Sequence, residues 1–183
     1  MEFILASASP RRKELLKKVI DDFKIIPSSL DESLFPLEEL SKEKAMSIAI
    51  NNKDAVVIGA DTVVILDNKV LGKPHNEENA YSMLKALSNK THQVITYYSI
   101  CHINKGICYT SKSISNVTFY PLSDELIASY IKTGSPLDKA GAYGIQDKDY
   151  KLVKEFDGEE DNIIGLPTLA LEKALINLGL ILK

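Results

Sequence analysis

The chain has 183 residues, of which 45% are hydrophobic and 26% are charged, and its formal net charge is −3. This length fits one domain, or two small lobes that share a core, and the composition is that of an ordinary globular protein. The slight negative charge argues against broad binding to a nucleic-acid backbone, which needs many lysines and arginines to neutralise phosphates. A small polyanion held in a local pocket remains compatible with this charge.

The sequence gives no sign of a secreted protein, a membrane protein or a zinc site. Its two cysteines, Cys101 and Cys108, flank a turn-like segment and lack the spacing of zinc ligands. They could lie close across a hairpin, but a reducing compartment is the simpler assumption. No basic amino-terminal segment leads into a long apolar core, and no run approaches the roughly 20 apolar residues that span a bilayer. We therefore expect a cytoplasmic protein without a membrane or nucleic-acid partner.

Residues 4–12 are the first stretch that carries chemistry, because they include both arginines of the chain, Arg11 and Arg12. The segment begins apolar, which predicts a short strand, and Pro10 after a Ser9 N-cap predicts the start of a helix. Such a junction directs backbone N–H groups and the positive end of the helix dipole to one spot. The guanidinium groups add forked donors that match phosphate oxygens. On this segment alone, an anion site and an ordinary capped helix are equally good interpretations.

Residues 55–66 form the most apolar run of the chain, and their Val and Ile content predicts a buried strand. Asp61 lies in its middle, and a buried carboxylate must be paired, metal-bound or placed at a strand break that faces a cleft. The small residues 59–60 favour a break or bulge at which a ligand approaches the backbone. A hairpin turn at residues 67–69 would return Lys73 to the neighbourhood of this carboxylate. We therefore favour a functional role for Asp61 over simple structural pairing.

The remaining pattern predicts alternating helices and strands that are interrupted by a long hairpin. Helices are expected at residues 36–52, 76–87, 122–132 and 169–178, and strands at residues 23–27, 91–103, 107–120 and 150–156. This order predicts an α/β protein with a mixed, strongly bent sheet and flanking helices in two lobes around a cleft.

Three loop or strand positions have simple structural interpretations beside the functional ones. Residues 28–35 form a loop in which Asp31 and Glu32 are expected to be solvated acids. His92 is expected to make a structural hydrogen bond, because no second ligand stands at a metal-binding offset. Residues 138–146 contain glycines outside the spacing of a phosphate loop, so they fit either a tight turn or a close approach to a ligand.

Six segments together resemble the motif series of the Maf family of nucleotide pyrophosphatases, in order and approximate spacing, over nearly the whole chain. They are residues 7–12, 59–64, 71–74, 91–96, 138–146 and 165–167. The resemblance implies one Maf-like domain over residues 1–183, similar to the inosine-triphosphate pyrophosphatase architecture, and commonly a homodimer. It also implies hydrolysis of a nucleoside triphosphate between the α and β phosphates, which yields the monophosphate and pyrophosphate with a divalent cation such as Mg²⁺ or Mn²⁺.

The resemblance assigns catalysis to acids and a lysine. Asp61 would be the catalytic acidic residue, and Glu32 and Lys73 would complete the catalytic site. Glu32 and Asp61 are also the candidate ligands for the divalent cation, since magnesium is commonly held by one or two carboxylates. Asp61 could alternatively take the proton of the attacking water, and the sequence leaves both roles open.

Substrate binding is implied at a second set of positions. Ser7, Arg11 and Arg12 would hold the phosphates. In the subgroup that acts on dTTP and UTP, normal or modified, the positions linked to specificity match Arg11, Thr62 and Gln146. The Gln146 amide could both donate to and accept from the edge of uracil or thymine.

Two departures from the Maf pattern affect these expectations. The family usually places a lysine three residues after a Leu-Ala pair on the second helix, where this chain has Asn52, with Lys53 next to it. Either Lys53 serves or that charge is missing. The acidic residues 159–161 are expected in a loop, where they could weaken triphosphate binding or add a metal contact.

Three alternatives to a dTTP and UTP pyrophosphatase remain at this point. A 7-methyl-GTP pyrophosphatase of the same family is disfavoured by Thr62 and Gln146. A nucleotide-sensing regulator of cell division would bind without turnover, which the Asn52 departure makes more credible. A purely structural α/β module would require the arginines, Asp61 and Lys73 to lie far apart.

Overall fold

The structure, a computed structural model, describes residues 1–182. The helices are α1 (Pro10–Leu16), α2 (Leu37–Ala49), α3 (Glu77–Leu87), α4 (Asp124–Lys132), α5 (Glu160–Ile164) and α6 (Thr168–Asn177). The strands are β1 (Glu2–Leu5), β2 (Lys24–Ile25), β3 (Ala55–Leu66), β4 (Lys69–Leu71), β5 (Thr91–His102), β6 (Ile107–Phe119) and β7 (Val153–Phe156). In this part of the chain, none of the helices has both the length and the apolar character that a membrane span requires.

The strands form one mixed sheet with the order β2-β1-β3-β5-β6-β7, and β4 pairs with β3 outside this path. Strand β1 runs parallel to β2 and β3, and its Ile4 lies opposite Val57. The pairs β3-β4 and β6-β7 are antiparallel. A parallel pair needs a crossover connection, and α2 lies in the segment that links β1 and β2 to β3. The predicted α/β class with a mixed sheet and flanking helices is confirmed.

The chain divides into two compact units. Unit 1 contains residues 1–61 and 96–113 and the chain from Gly165 onward, and unit 2 contains residues 62–95 and 114–164. Strands β3, β5 and β6 contribute residues to both units.

Small side chains dominate the core of unit 1 where α2 packs on the sheet, among them Ala45, Ala49 and Val57. At Gly59 an added Cβ would overlap the carbonyl oxygen of Ser41 and lie 2.9 Å from the Ala45 nitrogen. The predicted break at residues 59–60 is wrong, because β3 is continuous from Ala55 to Leu66. Gly59 allows the backbone of a helix, and not a ligand, to approach the strand.

The core of unit 2 contains an aromatic group around a buried histidine. The His92 Nε2 atom lies 2.8 Å from the Tyr143 hydroxyl, and the ring packs edge-on against Phe119. Burial lowers the pKa of His92 to about 4, because the charged imidazolium would lose its hydration. His92 is therefore a neutral structural residue at pH 7, and the prediction of a structural hydrogen bond is confirmed.

Turns mostly agree with the predictions from local sequence. Asp67 and Asn68 have φ values of 49° and 63°, the left-handed conformation that a two-residue hairpin turn requires.

The thiols of Cys101 and Cys108 lie 3.8 Å apart across the β5-β6 hairpin, and both are free. The proximity predicted for these two cysteines is thus confirmed.

Of the acidic residues 159–161, only Glu159 lies in the expected loop, because helix α5 begins at Glu160 and includes Asp161. Its buried residue Asn162 explains the difference. The Asn162 amide donates to the Val94 carbonyl oxygen at 3.1 Å, and its nitrogen lies 3.0 Å from the Ser115 hydroxyl. These bonds hold the segment against the sheet, and acidic residues in a first helical turn favour the helix dipole.

Candidate active site

The junction of β1 and α1 has the predicted local structure. The Ser9 hydroxyl accepts a hydrogen bond from the Arg12 N–H at 3.4 Å, and Pro10 is the first helical residue. The Ser9 N–H in turn donates to the Ser7 hydroxyl at 3.2 Å. The serines therefore shape the turn that places Arg11 and Arg12 in the first turn of α1.

Arg12 lies near both candidate acids of unit 1. Its Nε donates to the Gly165 carbonyl oxygen at 2.8 Å, which orients the guanidinium. Burial lowers the pKa of Arg12, whereas the charges of Asp61 and Glu32 raise it. The arginine still keeps its charge, because its reference pKa lies far above neutral pH.

Lys44 joins the two acids, and the sequence analysis missed it. Its Nζ lies 2.9 Å from Asp61 Oδ1 and 2.9 Å from Glu32 Oε1. The Lys44 and Asp61 side chains are only 11% and 14% exposed, whereas that of Glu32 is 58% exposed. An ammonium and a carboxylate with so little access to water lose hydration, and their ion pair offsets this loss. The pairing therefore explains how the apolar strand β3 can contain an acid.

Helix α2 presents Lys44 from its buried face. That face also contains Leu40, Ser41 and Ala45. A hydrogen bond of 2.8 Å between the hydroxyls of Ser41 and Ser99 fixes the helix on the sheet. The sequence does contain a signal for this residue. Lys44 falls at the helical spacing of the apolar stripe of α2, which indicates a buried position and not a solvated one.

A short 3-10 turn, Glu32–Leu34, positions the second acid. The Asp31 carboxylate accepts from the Ser33 N–H at 3.1 Å and from the Ser33 hydroxyl at 2.6 Å, and these hydrogen bonds lower the pKa of Asp31. The prediction that both acids are merely solvated is wrong, because Asp31 caps this turn and Glu32 contacts Lys44.

Unit 2 contains the candidates Thr62, Lys73 and Gln146. Lys73 and Gln146 are exposed, and Thr62 is partly buried. The carbonyl oxygen of Gly72, the residue before Lys73, accepts a hydrogen bond from the Gly141 N–H at 3.1 Å. Gly141 has a φ of +70°, and an added Cβ would lie 2.9 Å from Val64. The Lys73 segment, strand β3 and the 138–146 loop therefore meet within unit 2, while the approach of Lys73 to Asp61 stays a prediction.

The sequence matches the family profile described as "Maf-like protein" over residues 2–178. The chain belongs to the Maf family. A dTTP/UTP pyrophosphatase of Carboxydothermus hydrogenoformans is 45% identical over 185 residues, which cover 98% of this chain and all of that relative. A protein of the same name from Clostridioides difficile is 49% identical over 177 residues and covers 91% of this chain and 90% of its own.

The fold also occurs in a protein with little sequence likeness. The structure of the Staphylococcus aureus Ham1 protein superposes with a TM-score of 0.56 at 13% identity, and covers 98% of this chain and all of its own. At this identity the likeness concerns the fold alone. It agrees with the architecture that the Maf resemblance implied.

The lysine that the Maf pattern led us to look for at the end of α2 is present elsewhere. The Asn52 amide donates to the Ile48 carbonyl oxygen at 2.8 Å, which makes it a helix-end residue. The Lys53 carbonyl oxygen accepts from the Asn104 N–H at 3.1 Å. Lys44 supplies a cation at the acids, and a role for the Lys53 side chain stays a prediction.

A divalent cation would find two protein ligands in unit 1 of this Maf protein. Among residues 1–182 there is no group of three or more His, Cys, Asp or Glu that could hold a metal ion. Glu32 and Asp61 nevertheless converge on a single Lys44 nitrogen, so their oxygens lie close together. Two carboxylates fit a magnesium ion that takes its other ligands from water and from substrate phosphates.

Proposed function

We propose that this protein is a nucleoside triphosphate pyrophosphatase that hydrolyses dTTP and UTP to the monophosphate and pyrophosphate. The observation that carries the proposal is the cluster of Arg12, Glu32, Lys44 and Asp61, which combines cations with carboxylates in a partly buried place. Relatives named dTTP/UTP pyrophosphatase, 45% and 49% identical over nearly the whole chain, support this substrate class.

Hydrolysis at the α phosphorus needs a water nucleophile, neutralised phosphate charge and a stabilised pyrophosphate leaving group. We assign the first task to Asp61, which would orient the water and either accept its proton or hold the cation that would make the water more acidic. Arg11 and Arg12 would bind the phosphate oxygens, together with the Ser7 hydroxyl, and Lys73 is a further candidate for this task. Lys44 pairs with both acids and fixes the orientation of the Asp61 carboxylate.

We further propose that Glu32 and Asp61 hold a divalent cation, Mg²⁺ or Mn²⁺. When bound, the cation would neutralise phosphate charge and lower the pKa of a bound water. Because Lys44 Nζ now contacts both carboxylates, cation binding is expected to compete with these two ion pairs.

Base selection is the proposed task of Arg11, Thr62 and Gln146. Uracil and thymine present a ring N–H donor beside a carbonyl acceptor, and the Gln146 amide offers the matching pair. The normal or modified pyrimidine nucleotides are thus the expected substrates, in a cytoplasmic homodimer without a nucleic-acid partner. A 7-methyl-GTP pyrophosphatase and a sensor without turnover are the two outcomes that the following experiment separates from this proposal.

The purified protein is incubated with Mg²⁺ or Mn²⁺ and with UTP, dTTP, CTP, GTP and 7-methyl-GTP, and all phosphate products are resolved by chromatography. Monophosphate plus pyrophosphate, formed fastest from UTP or dTTP, is the expected result. Diphosphate plus phosphate would mean that another bond is cleaved, and fastest turnover of 7-methyl-GTP would move the protein to the other Maf activity.

The same assay tests the cation. EDTA is expected to reduce turnover to background, and excess Mg²⁺ to restore it. Turnover that persists after removal of divalent cations would refute the cation proposal. Tight nucleotide binding without product in the presence of Mg²⁺ would instead support a sensor.

A further inference from the structure

The four-residue turn Gly144 to Asp147, called here the 144–147 turn, presents Gln146 to solvent. The Asp147 N–H donates to the Gly144 carbonyl oxygen at 3.1 Å and closes the turn. Ile145 is 8% exposed and anchors the turn in the core of unit 2, whereas Gln146 is exposed. The backbone around Gln146 is therefore held on both sides while its side chain projects outward.

One buried phenol holds both ends of this turn. Tyr130, on α4, is fully buried, and its hydroxyl donates to Asp147 Oδ2 at 2.5 Å. The same hydroxyl oxygen accepts a hydrogen bond from the Gly144 N–H at 3.0 Å. Burial and the hydrogen bond to Asp147 raise the pKa of Tyr130, so the phenol stays protonated as a donor.

The carboxylate at the end of the turn is held by further donors. The Ser135 hydroxyl donates to Asp147 Oδ2 at 2.7 Å, and Lys139 Nζ lies 3.0 Å from that hydroxyl oxygen. Lys139 also donates to the Ser135 carbonyl oxygen at 2.6 Å. Hydrogen bonds to an ionised carboxylate are stronger than those between neutral groups, and Asp147 accepts two of them. This network leaves the 144–147 turn little freedom to move.

A restrained 144–147 turn would matter for the selection of uracil over cytosine. Uracil presents a ring N–H beside a carbonyl, and cytosine presents a ring nitrogen beside an amino group, so donor and acceptor are exchanged. A glutamine amide can match either edge if it turns over, because its oxygen and nitrogen have opposite roles. Discrimination therefore requires that one amide orientation is favoured, and a residue whose backbone is displaced presents that orientation to the base less accurately.

We propose that Tyr130 and Asp147 are positioning residues that hold Gln146 for recognition of uracil and thymine, and so set the pyrimidine selectivity of the enzyme. The inference rests on the proposed function and on the base-binding role of Gln146. In this proposal Tyr130 and Asp147 act through Gln146 and not through a contact of their own with the nucleotide.

The test compares Tyr130→Phe with Gln146→Ala and with the double variant, in the full-length chain with Mg²⁺. Loss of the Tyr130 hydroxyl should raise the KM for UTP and dTTP about fivefold, the effect of one net hydrogen bond, and leave kcat within about twofold. The KM for CTP should change little, so the UTP to CTP ratio of kcat/KM falls about fivefold. Because both changes act through one side chain, the double variant should resemble Gln146→Ala alone.

Tyr150→Phe is the matched control. The Tyr150 ring stacks on Tyr130 with centroids 4.9 Å apart, so the control removes a hydroxyl from the neighbouring ring and leaves the 144–147 network intact. Its selectivity should equal that of the parent. If Tyr130→Phe proves unstable in a thermal melt, Ser135→Ala removes another donor to Asp147 and should lower selectivity in the same direction.

Three outcomes would overturn the inference. Tyr130→Phe could retain parental selectivity while Gln146→Ala loses it, the losses of the two single variants could multiply in the double variant, or Gln146→Ala could itself retain parental selectivity. Calorimetric binding of UTP and CTP to the same variants decides these cases even in the absence of turnover. A parent that binds UTP selectively but yields no product would refute the proposed function and not the positioning role.

Discussion

The candidate residues of the two units are prepared in different ways. In unit 1 the charged side chains contact one another, since Lys44 lies 2.9 Å from both Glu32 and Asp61. In unit 2 the side chain of Gln146 is exposed, and it is the backbone on either side that is held by hydrogen bonds. The charged candidates of unit 1 are therefore held by contacts with one another, whereas the exposed candidate of unit 2 is placed by fixing the backbone that carries it.

The largest effect should follow from removing a charge in unit 1. Asp61→Asn keeps the size of the side chain but removes the carboxylate that the proposed catalytic role requires, and we expect kcat to fall at least about 100-fold, as for loss of a general base. Substrate binding, measured by calorimetry, should persist. A kcat within about threefold of the parent would remove Asp61 from catalysis.

Asp67→Asn is the matched control for this change. Asp67 occupies a left-handed turn position with φ 49°, which asparagine tolerates well. It should melt at the parental temperature and keep parental turnover. A melting curve of Asp61→Asn must also show a cooperative transition, since an unfolded variant would lose activity for another reason.

A smaller effect is expected when the support of unit 1 is disturbed without touching a charge. Gly59→Ala places a methyl group against Ser41 and Ala45, so α2 must shift and carry Lys44 with it. We expect a loss of about 1–3 kcal/mol in the free energy of unfolding, which urea titration would measure. Turnover should fall about tenfold, a displacement effect rather than loss of a catalytic group.

Gly72→Ala provides the comparison, because an added Cβ there meets nothing within 4 Å. Its urea midpoint should match the parent. Equal midpoints for Gly59→Ala and Gly72→Ala would show that the close approach of α2 to β3 does not matter for stability.

The smallest effect at neutral pH concerns the core of unit 2. The pKa of buried His92 is lowered to about 4 from an ordinary value of 6.5, so the unfolded chain binds this proton more readily. Its stabilising contribution is complete above pH 6.5 and is lost as the pH falls from 6.5 toward 4, by an amount of up to about 3 kcal/mol. His92→Gln, which cannot titrate, should give a flatter dependence of unfolding free energy on pH in this window. Identical slopes for parent and variant would contradict this origin.

Local features of the fold were predictable because their causes are local. The bounds of β3 follow from a continuous Val- and Ile-rich run, and the start of α1 follows from Ser9 and Pro10. The 67–68 turn follows from two residues that tolerate positive φ. The order of the elements predicted the α/β class with a mixed sheet, and the Maf resemblance added the family and its architecture, which local patterns alone do not determine.

The centre of the candidate site was not predictable from local patterns. Lys44 and Asp61 are 17 residues apart, and the place of Lys44 on the apolar stripe of α2 indicates burial but not which acid it contacts. A glycine at position 59 indicates that another group approaches the backbone, but it does not identify that group. The predicted ligand is in fact the backbone of α2. The acidic residues before Asn162 were assigned to a loop because the buried contacts of that asparagine are long-range. The roles of Ser7, Thr62 and the other candidate residues stay predictions until the variants are assayed.

Gly59 also bears on how protein families are interpreted. Selection that preserves Lys44 beside Asp61 must also reject every larger residue at position 59, because a side chain there would overlap the helix. Such a position would drift as slowly over evolution as a catalytic residue, although no substrate atom need come near it. Slow divergence at a glycine of this kind records how tightly two pieces of backbone are packed, and distinguishing it from chemistry requires the three-dimensional contact.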